Sequence, residues 1–135
     1  MIVLRRDDCL RLLRHARCCL PEEACGLLAG SREEERALVE KVYLLENADH
    51  SVIHFSISPR EQLEAILDMR CRGLVLLGGW HSHPTAPAFP SKEDICLAPY
   101  PHASHVILSL AGEAPVLRSF HICGTEAAQE ELVVE

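Results

Sequence analysis

Residues 74–84, LVLLGGWHSHP, join the most apolar run of the sequence to a pair of histidines. The continuous apolar segment 74–80 predicts a central strand covered on both faces of a sheet. Because residues i and i+2 share a face of an extended chain, His81 and His83 should point the same way at the end of this strand. Two imidazoles so placed form half of a zinc site, although a single histidine on a strand is more often structural.

The motif that follows the histidines, P-x6-S-x-x-D, ends at the carboxylate of Asp94. Ser91 is the expected N-cap of a short helix, and Asp94 lies in its first turn, so the loop should fold this carboxylate back toward the histidines. Two histidines and one aspartate would leave an open fourth position on tetrahedral zinc, as a catalytic site requires. The pattern S-K-E-D is also typical of a simple capping box with acids favoured by the helix dipole. Both interpretations are compatible.

A candidate general base lies upstream in PEEACGLLAG, residues 21–30. Glu22 and Glu23 precede a run that should form a buried strand, and a buried glutamate usually needs a partner. The alternative is a solvated pair of acids in a turn after Pro21. From this segment alone, both interpretations stay open.

The surrounding pattern alternates strands and helices. The strands are expected over residues 1–4, 24–30, 37–45, 53–57, 105–110, 116–122 and 132–134, with the polar stretch TEAAQEE as a link before the last. One helix should begin at Asp7 or Asp8 and bury Leu10, Leu13, Ala16 and Leu20. A second should begin at Ser58, end at Gly73 and bury Leu63, Ile66, Leu67 and Cys71.

Composition limits the class of protein. The 135 residues fit one domain, 1–135, and the net charge of −7 argues against a nucleic-acid surface. No run approaches the length of a membrane span, and the apolar start of the chain is too short for a signal peptide. The seven cysteines include no C-x-x-C and are best explained as free thiols in a reducing cytosol, so a cytoplasmic protein is expected.

Taken together, Glu23, His81-Ser82-His83-Pro84, Ser91 and Asp94 resemble the signature of the JAMM (MPN-plus) metallopeptidases, E-xn-H-S/T-H-P-x6-S-x-x-D. The resemblance covers nearly the whole chain. It implies an α/β (α+β) fold in which helices flank a mixed central sheet, with a layering like that of cytidine deaminases. It also implies that His81, His83 and Asp94 hold Zn²⁺. Glu23 would be the general base, and Ser91 would hydrogen-bond the developing oxyanion.

The family acts on peptide or isopeptide bonds at the C-termini of ubiquitin-like proteins. A chain of 135 residues has little room for ubiquitin-gripping insertions, so it is most similar to a short bacterial branch. Members of that branch trim residues, often cysteine, from small sulfur-carrier proteins. The resemblance therefore implies a ubiquitin-like or sulfur-carrier protein as substrate; the oligomeric state stays open.

Other protein classes would require different residues at or near this motif. A nucleobase deaminase requires H-x-E and P-C-x-x-C, which the sequence lacks, and an H-E-x-x-H peptidase is excluded in the same way. A RadC-like relative with a DNA-related role would carry asparagine in place of Ser82. A noncatalytic MPN-type binding scaffold would be expected to have lost a ligand. Trp80 is interpreted as a wall of the cleft or as core packing.

Overall fold

The computed structural model describes residues 1–98 and 100–135. In this part of the chain, eight strands and three helices follow one another. The strands are β1 (Ile2–Leu4), β2 (Cys25–Glu33), β3 (Arg36–Leu45), β4 (Val75–His83), β5 (Ser104–Ser109), β6 (Val116–Cys123), β7 (Glu126–Glu130) and β8 (Leu132–Val134), and the helices are α1 (Arg6–Cys19), α2 (Pro59–Cys71) and α3 (Lys92–Cys96).

All eight strands form one mixed sheet in the order β7-β6-β5-β4-β2-β3-β1-β8. β4 lies in the interior, antiparallel to β2 and parallel to β5. The two outermost strands, β7 and β8, are separated in sequence by Glu131 alone, whose carbonyl accepts a hydrogen bond from the Ile2 N–H at 2.9 Å. Because one residue joins opposite ends of the strand order, the sheet must curl round on itself.

The helices pack on opposite faces of this sheet. α1 contributes Leu12 and Ala16 to a core that includes Leu28 and Trp80, whereas α2 contributes Ala65 and Met69 to a separate cluster. The expected mixed sheet flanked by helices is confirmed. β4 is central as predicted, but its start is not covered, since half of Val75 is exposed.

The predicted burial of the helix faces was partly wrong. Leu10 in α1 and Leu20 directly after it are exposed. The N-cap is Arg5 rather than Asp7 or Asp8, and Asp8 is buried in ion pairs with Arg5 and Arg11. In α2, the side chains that face solvent are Leu63, Leu67 and Cys71. The buried pair Ala65 and Met69 has the same i,i+4 spacing and packs with Leu27, Ala29 and Tyr43 of the sheet.

Two predictions about strands were also wrong. Residues 53–57 form no strand, because the backbone of this segment bonds to a side chain rather than to a neighbouring strand. TEAAQEE contains strand β7, which lies at the end of the sheet and is mostly exposed. An exposed edge strand need not show apolar alternation, so the sequence carried no signal for it. No helix in residues 1–98 or 100–135 is long and apolar enough to cross a membrane.

Candidate active site

Three side chains converge where β4 ends. His81 and His83 project from the same face of the strand, with their Nε2 atoms 3.1 Å apart. Asp94 Oδ2 lies 3.1 Å from the His81 Nε2 and 3.3 Å from the His83 Nε2. One ligand atom from each residue lies within 4.8 Å of the other two, and the two histidines are buried. The structure thus brings together the three residues that the sequence predicted as metal ligands.

Neighbouring groups fix the orientation of these side chains. The Pro87 carbonyl can only accept a hydrogen bond, so the His83 Nδ1, 2.8 Å away, must carry a proton when it bonds there. In the neutral imidazole this leaves the lone pair on Nε2, free to bind a metal, whereas the protonated ring donates from Nε2 to Asp94, 3.3 Å away. The ring of Phe55 stacks on His81, with centroids 4.7 Å apart. Such outer partners hold metal ligands in place.

The charges of the site stabilise one another. Burial raises the pKa of Asp94, but hydrogen bonds from His81, His83 and the Ser91 N–H outweigh it, and the pKa of Asp94 falls well below its usual range. Burial lowers the pKa of His83, but its bonds to Asp94 and to the Pro87 carbonyl reverse this, and its net pKa is raised. The carboxylate is therefore ionised at neutral pH and available as a ligand.

Helix α3 presents Asp94 through a complete capping box. The Ser91 Oγ accepts a hydrogen bond from the Asp94 N–H at 3.0 Å, and the Ser91 N–H donates to Asp94 Oδ2 at 2.8 Å. The cap uses the Ser91 hydroxyl only as an acceptor, so its proton stays free to donate to another group. Capping and a role in chemistry are thus compatible in the same serine.

The geometry selects Glu23 over Glu22 as the candidate base. Glu22 is partly exposed, and its Oε1 lies 2.9 Å from the His50 Nδ1. Glu23 is buried, and its Oε1 has no hydrogen-bond partner in residues 1–98 and 100–135. Burial raises the pKa of Glu23 to about 7; His83 lowers it and Asp94 raises it. A carboxyl group with such a pKa can both take and give a proton at neutral pH.

Ser82 lies between the two histidines and connects them to the chain next to Glu23. Its Oγ accepts a hydrogen bond from the Ala24 N–H at 2.8 Å, and its N–H donates to the Ala24 carbonyl at 2.9 Å. Cys25 is paired with His81 across β2 and β4. Glu23 is thereby brought close to the histidines although nearly sixty residues separate them in sequence. This contact was not predicted from the sequence. Its only indication was the position of Ser82 between two residues of the proposed site.

A cavity of about 310 Å³ adjoins the site and includes His81 and Asp94 in its wall. Its other lining is largely apolar and comes from Phe55, Ile57 and Leu97 among others. Trp80 has its ring in the core and donates its indole N–H to the Tyr43 carbonyl at 3.0 Å, and it also lines this cavity, so both interpretations of the residue hold.

The residues present fit a zinc ion. Two imidazole nitrogens and a carboxylate oxygen are typical zinc ligands in catalytic sites, which keep one position open. The two Nε2 atoms face each other at 3.1 Å, an arrangement that a shared cation would stabilise. The buried, unpartnered Glu23 Oε1 supplies a polar group for a further ligand such as water.

Comparison with known proteins agrees with this geometry. Residues 6–123 match the family described as prokaryotic homologues of the JAB domain, a range that includes every site residue. The chain belongs to this family. It is 32% identical over 135 residues to the CysO-cysteine peptidase of Mycobacterium tuberculosis, covering 99% of this chain and 91% of that protein. It is also 41% identical over 85 residues to a probable TtuB-protein conjugate cleaving protease of Thermus thermophilus, covering 62% of this chain and 51% of that one.

Solved structures show the same fold. A protein from Desulfitobacterium hafniense, determined in solution, is 48% identical and superposes with a TM-score of 0.92, covering 100% of this chain and 93% of that one. A JAB1/MPN domain protein from Archaeoglobus fulgidus is 23% identical with a TM-score of 0.65, covering 99% of this chain and 98% of that one. The resemblance to the JAMM metallopeptidases is thus confirmed at the level of family and fold, and with it the expectation of a hydrolytic enzyme.

Proposed function

We propose that this protein is a zinc-dependent peptidase that hydrolyses an amide bond at the C-terminus of a ubiquitin-like or sulfur-carrier protein. The observation that carries the proposal is the convergence of His81 Nε2, His83 Nε2 and Asp94 Oδ2 in the part of the fold that also holds the buried carboxyl of Glu23. The names of the mycobacterial and Thermus relatives support the substrate class.

In this proposal His81, His83 and Asp94 hold the metal. When bound, zinc supplies Lewis-acid polarisation of a carbonyl oxygen and acidification of water. The protein contributes the fixed geometry of the ligands: the Pro87 carbonyl sets the His83 tautomer, and the capping box sets the Asp94 carboxylate.

Glu23 moves the proton. Its carboxylate takes a proton from the water that adds to the substrate carbonyl carbon, and then gives that proton to the amine nitrogen as the C–N bond breaks. The pKa of about 7 suits both steps, because the group must be deprotonated in the first and protonated in the second.

Ser91 stabilises the developing negative charge. Its hydroxyl proton is not used by the α3 cap and would donate to the carbonyl oxygen of the substrate as that oxygen becomes negative. A single donor of this kind typically contributes about 2.7–4 kcal/mol to the lowering of the barrier.

The apolar cavity beside the site would receive part of the substrate tail. The described part of its wall contains the acids Glu93 and Asp94 and no lysine or arginine. A free carboxylate would be poorly tolerated there, whereas the uncharged main chain and apolar side chains of a carrier tail would fit.

The test combines metal analysis with mass spectrometry. Purified protein should contain one zinc per chain, and it should shorten a sulfur-carrier protein that bears an added C-terminal cysteine, with activity lost in chelator and restored by zinc. Glu23→Gln should keep the zinc and lose turnover, whereas His83→Ala should lose both. A Glu23→Gln protein with normal activity would refute the assignment of the base. Tight zinc binding with no cleavage of any ubiquitin-like substrate would instead support a scaffold.

A further inference from the structure

The segment 46–58, between β3 and α2, is built around one buried side chain. It contains no helix or strand, and its backbone groups converge on Asn47. The Asn47 Nδ2 donates to the His54 carbonyl at 3.0 Å, and the Ser51 carbonyl, 3.3 Å away, shares one of its two hydrogens. The Asn47 Oδ1 accepts from the N–H groups of Asp49 and Ser56, at 3.1 and 3.3 Å. This side chain therefore determines the path of the segment.

The same amide group also reaches the candidate base. The Asn47 Nδ2 donates to the Glu23 carbonyl at 3.0 Å, and the Glu23 N–H donates to the Ser51 carbonyl at 2.9 Å. Glu23 precedes β2, which begins at Cys25, and so lies outside the strand. Both backbone polar groups of Glu23 consequently bond to the segment that Asn47 organises.

This anchoring matters because the Glu23 side chain has little support of its own. No group in the described part of the chain hydrogen-bonds to its Oε1, so the position of its carboxyl depends on where the backbone holds it. A displacement of about 1 Å in a catalytic group can cost roughly 100-fold in rate.

We propose that Asn47 is the positioning residue for the Glu23 general base. It fixes the Glu23 carbonyl directly and the Glu23 N–H through the Ser51 carbonyl. The inference rests on the proposed function, which gives Glu23 its role as base.

The chemistry of the contacts requires a primary amide. The Asn47 NH₂ group faces three carbonyl oxygens, and its oxygen faces two N–H groups. Aspartate has the same shape but no donor, so it would place an oxygen against three carbonyls. Asn47→Asp is thus a replacement of one donor group by an acceptor.

The experiment compares Asn47→Asp and Asn47→Ala with Ser56→Ala. Ser56 lies in the same segment, and its hydroxyl donates to Asp49 Oδ1 at 2.8 Å without contacting Glu23. We expect both Asn47 variants to keep one zinc per chain and to have kcat lowered at least tenfold, with KM changed less than kcat although Phe55 and Ile57 of the same segment line the cavity. Hydrogen exchange of the Glu23 amide should accelerate at least tenfold, while amides within β2 such as Leu28 stay protected. Ser56→Ala should match the wild type in all four measurements.

A role confined to stability would lower the melting temperature of the Asn47 variants but leave the kcat of the folded protein and the exchange of Glu23 unchanged, and that result would overturn the proposal. If the variants do not fold, the anchoring can still be tested on the wild type. Its Asn47 side-chain amide protons should exchange at least 100-fold more slowly than those of free asparagine. Exchange of these protons at the rate of free asparagine would refute the proposal that Asn47 anchors Glu23. Failure of the wild type to cleave any carrier would count against the proposed function alone, because the exchange measurements need no substrate.

Discussion

At the scale of single residues, the buried Ser82 hydroxyl connects the strand that carries the histidines to the residue next to Glu23. It has no exposed surface, and its Oγ is the acceptor for the Ala24 N–H, next to the candidate base. In Ser82→Ala that N–H would be left buried without a partner, which costs about 1–3 kcal/mol. We therefore expect the free energy of unfolding in urea to fall by this amount, and kcat to fall as well because the residue next to Glu23 loses one of its two bonds to β4.

Ser119→Ala is the matched control for this prediction. Ser119 is equally buried on a strand, and its hydroxyl donates to Glu130 at 2.7 Å. Its loss should lower the stability to a similar extent and leave kcat unchanged. Equal effects of the two substitutions on kcat would show that Ser82 acts on stability alone.

At the scale of elements, the short helix α3 combines a cap with a proposed catalytic hydroxyl. Ser91→Ala should remove both functions. The free energy of unfolding should fall by about 1 kcal/mol from the lost cap, and kcat should fall by about 10²–10³ from the lost oxyanion donor. Ser91→Thr keeps the hydroxyl and should restore both quantities.

The N-cap of α2 provides the control for Ser91. The Ser58 Oγ accepts a hydrogen bond from the Glu61 N–H at 3.2 Å, as the Ser91 Oγ does in α3, but α2 carries none of the proposed site residues. Ser58→Ala should cost a similar free energy of unfolding with no change in kcat. If Ser91→Ala reduced kcat no more than Ser58→Ala does, the oxyanion role of Ser91 would be wrong.

The elements also show what could be predicted from the sequence. The strand period placed His81 and His83 on one face, and the capping pattern placed Asp94 beside them; both depend on residues close in sequence. The role of Asn47 could not be predicted, because Glu23, twenty-four residues away in sequence, is brought to it only by the fold. The face that α2 buries depends likewise on the sheet it packs against, since two stripes of its surface have the same spacing.

At the scale of the whole molecule, the chain crosses from one end of the sheet to the other between β7 and β8. Glu130 is the last residue of β7 and is buried at this junction. Its Oε1 accepts a hydrogen bond from the Ser119 hydroxyl at 2.7 Å, and its Oε2 lies 2.7 Å from the His121 Nε2. The contacts of this carboxylate thus hold β7 against β6 at the point where the chain crosses to the other end of the sheet.

These contacts make the stability of the fold depend on pH. Burial raises the pKa of Glu130, but hydrogen bonds from hydroxyl groups and the charge of His121 outweigh it, so the folded-state pKa lies below its ordinary value. Its contribution is therefore fully present above the unfolded pKa of about 4.3 and is lost as the pH falls through the lower folded pKa. Glu130→Gln should cost about 1–3 kcal/mol at pH 7. When the free energy of unfolding is measured in urea at pH 7, 5, 4 and 3, its difference between Glu130→Gln and the wild type should shrink below about pH 4. Glu126→Gln, on the exposed part of the same strand, should show no such trend. A Glu130→Gln difference that is the same at pH 7 and pH 3 would mean that the carboxylate charge does not stabilise the packing of β7 on β6.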